Sequence, residues 1–152
     1  ARVDDMHNLP QPLRAALDED FDIRVPEIVK ESRSVDGTVK LLVRLGDGNV
    51  VESVVIPRDE RLTLCLSSQV GCALDCSFCA TARLGLVRIL DPAEIVAQGL
   101  FARAVVAPYV LPTFVFMGMG EPLSNYERLV RAILILRHAV LCTVVAVAVD
   151  VS

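Results

Sequence analysis

No stretch of this sequence is apolar for long enough to cross a bilayer. The longest mostly apolar run, residues 139–149, falls well short of the roughly 20 residues that a spanning helix needs. The amino terminus, Ala1-Arg2-Val3-Asp4-Asp5, carries no apolar targeting segment. Positive charge is not in excess: 15 Lys and Arg stand against 19 Asp and Glu, so no basic face offers an electrostatic footprint for nucleic acid. Internal repeats and low-complexity segments are absent. Five cysteines, three of them within eight positions, do not make the even framework of a disulfide scaffold. That clustering reads as a metal site in a reducing compartment, so a soluble, cytoplasmic protein is expected. The only two histidines, His7 and His138, earn no role, and the acidic stretch 18–22 reads as a solvated helix end.

What is present is about one domain's length of chain, 53% hydrophobic, with ample material for a core. Residues 9–17 read as a short helix with Pro10 and Pro12 at its start, and residues 26–32 as one or two further helical turns. Residues 38–45 and 49–56 alternate apolar and polar side chains around Gly46-Asp47-Gly48, the pattern of a β-hairpin. Residues 57–60 read as a linker, closing a small α+β accessory module over 1–60. From residue 61 the order becomes strand (61–67), loop, helix, strand (113–117), helix, strand (141–151). Asp91-Pro92-Ala93-Glu94 opens the first of these helices, which ends before Pro108, and Ser124-Asn125-Tyr126-Glu127 opens the second, to about residue 138. Apolar strands alternating with helices predict a parallel sheet covered by helices over 61–152. The chain does not begin with Met and stops just after an apolar run, so it reads as a piece of something longer.

Chemistry concentrates at Cys72, Cys76 and Cys79, spaced C-x3-C-x2-C on the loop after the strand at 61–67. Iron–sulfur clusters are normally held by four thiolates. Three would leave one iron of a 4Fe-4S cube open to a small-molecule ligand. The other reading is a zinc site, which wants a fourth ligand; Cys65 is a candidate, with His7 and His138 more remote. In parallel α/β folds, ligands sit at the carboxyl ends of the strands. Gly118-Met119-Gly120-Glu121-Pro122 leaves the end of the next strand, so both loops should face one pocket. There glycine allows close backbone approach, and the Glu121 carboxylate could accept hydrogen bonds from an ammonium group. Taken alone, Glu52 is an exposed hairpin carboxylate, Cys65 and Cys142 are small buried hydrophobes, Met117 and Met119 fill packing gaps, and Arg83 and Arg88 are solvated surface cations.

Cys-x3-Cys-x-Phe-Cys after one strand, with Gly-Glu-Pro after the next, resembles the radical S-adenosylmethionine (SAM) superfamily. Longer stretches, residues 64–74 and 116–123, resemble the RlmN/Cfr-type RNA adenine methyltransferases, as do Asn8-Leu9-Pro10 and residues 36–40 and 51–57. The resemblance runs over about residues 4–138 and is closest to the branch that methylates adenine C2 in 23S ribosomal RNA and tRNA. It implies a partial radical SAM (β/α) barrel, truncated after about three strands, following the accessory module. It also implies that Cys72, Cys76 and Cys79 ligate a 4Fe-4S cluster, that S-adenosyl-L-methionine completes the open iron, and that Gly120 and Glu121 hold its methionyl end. Glu52 matches the family's proposed proton acceptor, and Cys65 a cysteine that enters a transient disulfide with a methyl-carrying cysteine. Ser152 matches a cofactor-contacting serine by a gap-free count from Glu121. The methyl-carrying cysteine itself has no match, so the chain alone is expected not to methylate RNA. The expected partners are an RNA substrate and an electron donor such as flavodoxin, with no membrane and a monomeric state. The alternatives are a C8-methylating or other radical SAM enzyme, a zinc-binding module without catalysis, and a truncated product without function.

Overall fold

A computed structural model of the chain describes residues 6–21, 26–59, 61–105, 112–140 and 143–146. The expected hairpin is β2 (Val39–Arg44) and β3 (Val50–Arg58). Along β2, Val39, Leu41 and Val43 are buried while Lys40 and Arg44 are exposed, as a period of two on a half-buried sheet requires. The turn between them is held by Asp47, whose Oδ1 accepts from the Asn49 N–H at 3.0 Å. Two expectations are corrected upstream and downstream of this hairpin. Residues 26–32 are not helical: β1 (Glu27–Arg33) pairs antiparallel with β2. Its Glu, Lys and Ser residues favour no strand, but the turn at 34–38 returns the chain alongside β2, and tertiary pairing overrides a weak local preference. Pro57 and Arg58, expected in a linker, instead belong to β3 and lie opposite Leu62 and Arg61 of β4 (Arg61–Cys65).

β4 pairs in parallel with β7 (Pro112–Val115), and β7 with β8 (Thr143–Ala146). The six strands form one sheet in the order β1-β2-β3-β4-β7-β8, so strands from both sides of residue 60 are continuous. A separate two-stranded ribbon, β5 (Gln69–Gly71) with β6 (Leu86–Ile89), follows β4. Helices α1 (Gln11–Asp20), α2 (Pro92–Val105) and α3 (Tyr126–Val140) complete the fold. The Asp91-Pro92-Ala93-Glu94 start behaves as expected, with Glu94 Oε2 accepting from the Asp91 N–H at 2.9 Å. The second start differs. Glu121, not Ser124, caps a 3-10 turn over Pro122–Asn125, and α3 follows directly from it.

Leu64, Leu66, Phe114 and Phe116 from β4, β7 and the residues just after them join Ile95, Ala102, Leu129, Ala132 and Leu136 of α2 and α3 in the buried core. Ser53 of β3 reaches α2 through a hydrogen bond to Gln98, which marks the helix-covered face. By alternation and register, Lys40, Glu52, Val54, Thr63 and Cys65 share the opposite face.

Candidate cofactor site

The cysteine loop is the end of the β5–β6 ribbon, which sequence reasoning did not foresee. Its neck is pinched: the Cys72 N–H donates to Gly85 O at 3.1 Å, and a Cβ on Gly71 would lie 1.7 Å from that same oxygen. Gly71 also has φ +76°, a conformation that costs little only for glycine. Beyond the neck, the Cys79 N–H donates to Cys76 O at 3.0 Å, bending the two cysteines into one turn. Cys72 is buried, whereas Cys76 and Cys79 are half-buried. The Cys79 thiol lies below its ordinary pKa, chiefly because the Ala82 backbone N–H stabilises the thiolate; burial opposes this and Thr81 adds to it. Leu74 and Phe78 of the same loop are exposed apolar side chains.

Among the described residues, no three His, Cys, Asp or Glu side chains already converge on a point that could hold one metal ion. A tetrahedral zinc ion needs all its thiolates at about 2.3 Å from one centre. A cube takes each thiolate on a different iron, so its ligands stand further apart. Three cysteines on one short loop, one of them with a stabilised thiolate, are a donor set of the kind a cluster uses.

The loop after β7 is laced to the chain segment leaving β4. The Gly118 N–H donates to Leu66 O at 3.1 Å, the Met119 N–H to Ser67 Oγ at 2.8 Å, and the Ser68 and Gln69 N–H groups both donate to Met119 O. The Glu121 N–H donates to Gln69 Oε1 at 2.9 Å. Gly120, at φ +98°, lies so close that a Cβ there would stand 2.4 Å from that of Gln69. Gly120 and Glu121 therefore sit against the root of the cysteine loop. The Glu121 carboxylate is half-buried, and one of its oxygens accepts from the Leu123 N–H at 2.9 Å.

Glu52 and Cys65 lie on the sheet face opposite the helices. Glu52 is partly exposed and paired with Lys40 at 2.8 Å. Cys65 is buried beside Val54 and Val115, and burial pushes its thiol pKa up against a smaller opposing bond from the Met117 N–H. Ser152 and Cys142 lie outside the described residues. Arg88 is not a solvated surface cation. It binds Asp47 at 2.6 Å and forks onto both carboxylate oxygens of Glu94 at 2.8 Å, and the two carboxylates raise its pKa further.

Sequence reasoning missed the buried polar residues that join the two loops. Ser67, Ser68, Gln69, Gln98 and Asn125 are all at most 3% exposed. Gln98 accepts from the Ser67 N–H and Ser53 Oγ and donates to Ser67 O, while Asn125 Nδ2 donates to Ser68 O and Leu90 O. A signal existed: three consecutive polar residues ending an apolar strand, and a lone Gln within an apolar helix.

No family model matches the chain. It is 48% identical over 134 residues to the dual-specificity RNA methyltransferase RlmN of Ruegeria sp., covering 81% of this chain and 34% of that protein. It is 50% identical over 133 residues to a probable dual-specificity RNA methyltransferase RlmN of Flavobacterium johnsoniae, covering 86% of this chain and 38% of that one. Among solved structures, a radical SAM methyltransferase from Sphaerobacter thermophilus superposes with a TM-score of 0.80 at 44% identity, over 90% of this chain and 41% of that one. The chain thus spans between a third and two fifths of the length of the curated relatives it matches. Its α/β fold is that of part of a radical SAM methyltransferase.

Proposed function

We infer, from a likeness to RlmN-type methyltransferases that runs through more than four fifths of this chain, that it is part of a radical SAM enzyme methylating adenine C2 in 23S ribosomal RNA and tRNA. The observation that carries this reading is the lacing of the 118–121 loop onto residues 66–69, next to the pinched cysteine loop. In this reading Cys72, Cys76 and Cys79 hold a 4Fe-4S cluster, and Gly120 and Glu121 hold the methionyl end of S-adenosyl-L-methionine. The bound pair supplies one-electron cleavage chemistry. The chain's own residues orient it. The Gly71–Gly85 contact closes the neck of the cysteine loop, and the missing side chains at Gly118 and Gly120 let their loop lie directly against Leu66, Ser67 and Gln69. Glu52 serves as the proton acceptor from the uncovered sheet face, where its carboxylate pairs with Lys40 at 2.8 Å. Cys65, on that same face, is the thiol available for a transient disulfide. Ser152 is a further cofactor contact. We also propose a cytoplasmic monomer with an electron donor such as flavodoxin; no helix among the described residues is long and apolar enough to cross a membrane.

The test is anaerobic reconstitution with iron and sulfide, followed by iron counting and electron paramagnetic resonance with and without S-adenosylmethionine. The reading expects roughly four irons per chain and a reduced spectrum that changes on adding the cofactor. Replacing Cys76 with Ala should abolish both. Zinc bound in place of iron, or no metal at all, would overturn it.

A further inference from the structure

Ser67 joins three parts of the molecule that the proposed function needs in register. Its side chain is fully buried. Its Oγ donates to the backbone oxygen of Glu52 at 2.6 Å and accepts from the Met119 N–H at 2.8 Å. Its own N–H and C=O are both taken by the side chain of Gln98, at 2.9 and 3.1 Å, which anchors the residue to α2. One hydroxyl therefore bridges the strand carrying Glu52 and the loop carrying Gly120 and Glu121. The same residue lies five positions before Cys72, at the root of the cysteine loop.

We propose that Ser67 is a positioning residue that holds the Gly118–Glu121 loop in its cofactor-binding conformation and in register with the strand of Glu52. This rests on the functional reading above. The physical reason is one of hydrogen-bonding capacity. The Met119 N–H faces the inside of the laced loops, and water cannot readily replace a buried partner. Without the hydroxyl, a buried donor and a carbonyl acceptor are both left unpaired. The loop can then relieve this only by moving. The loop lies directly against this residue at Gly118, where a Cβ would meet Ser67 Oγ at 2.7 Å and the Leu66 backbone at 2.8 Å. The cysteines are held by a different set of bonds, at the Gly71–Gly85 neck, so cluster ligation should not depend on this hydroxyl.

The experiment compares the parent chain with Ser67→Ala and with Ser53→Ala. Ser53 is also buried and bonded to Gln98, and its hydroxyl donates to α2 rather than to either loop. Amide hydrogen exchange is followed on the cluster-free proteins, and cofactor affinity is read from the paramagnetic spectrum of the reconstituted ones. Ser67→Ala should keep the iron content and the cofactor-free spectrum of the parent. It should weaken S-adenosylmethionine binding about tenfold, the equivalent of one lost hydrogen bond, and speed Met119 exchange by a similar factor or more. Ser53→Ala should leave both unchanged while lowering the melting temperature comparably. Affinity within twofold of the parent, or unchanged Met119 exchange, overturns the proposal alone. So does iron content that falls in step with affinity, which would make the residue merely structural. A parent protein that binds no cofactor overturns the functional reading and this proposal together.

Discussion

Gly71 shows how far a single residue governs the candidate site. It combines a positive φ with an approach to Gly85 O that leaves no room for a methyl group. Gly71→Ala has to open the neck of the cysteine loop, breaking the Cys72 N–H bond to Gly85 O. We expect a loss of about 2 kcal/mol or more, from backbone strain plus the broken bond. Urea titration would measure it, and iron uptake on reconstitution should fall with it. Gly85→Ala makes a useful contrast: a Cβ there meets nothing within 4 Å, so only the strain of its φ of +65° applies, and a smaller loss is expected. The spacing alone singled out the three cysteines as candidate ligands. The glycine that sets their loop was not, because nothing in a local pattern reveals which carbonyl will approach from fourteen residues away.

At the scale of elements, Arg88 ties β6 to the β2–β3 turn through Asp47 and to the start of α2 through Glu94. The Arg88 guanidinium, helped by Asn49, holds the Asp47 carboxyl below its ordinary pKa. A depressed folded-state pKa means stability that is present above the unfolded value, near 3.9, and lost as pH falls through the lower folded one. Asp47→Asn should therefore cost up to about 1 kcal/mol at pH 7, discounted for the exposure of the pair. That difference should shrink as pH drops below about 4, as urea midpoints of parent and variant across this range would show. Equal differences at pH 7 and at the lowest pH that keeps the chain folded would count against the ion pair as the source. Residues 26–32 belong to this scale as well. Their helix-compatible composition yields to a hairpin partner that sequence periodicity does not expose.

The whole molecule poses one further question, whether the accessory segment 1–60 and the rest behave as two domains. β3 and β4 pair over five residue positions and belong to one six-stranded sheet, with Ser53 bonded to Gln98 across the proposed boundary. Breaking that sheet would expose Val55 and Leu64, both fully buried, together with an unpaired strand edge. We expect a single cooperative unfolding transition, the same by far-ultraviolet circular dichroism and by tyrosine fluorescence. Two resolved transitions would instead favour independent domains divided near residue 60.

What the sequence determined by itself was the hairpin, the parallel strand–helix order and the two loops that hold the candidate site residues. Each is a local matter of period, capping and spacing, and each depends on residues a few positions apart. The tertiary structure alone decided that β1 is a strand, that residues 57–58 lie within one sheet, and that Ser67, Gln98 and Asn125 lace the loops together. The lacing side chains depend on partners 15 to 57 residues apart. Whether a polar side chain finds a buried partner at such a distance is a property of the packed chain, which no periodicity encodes.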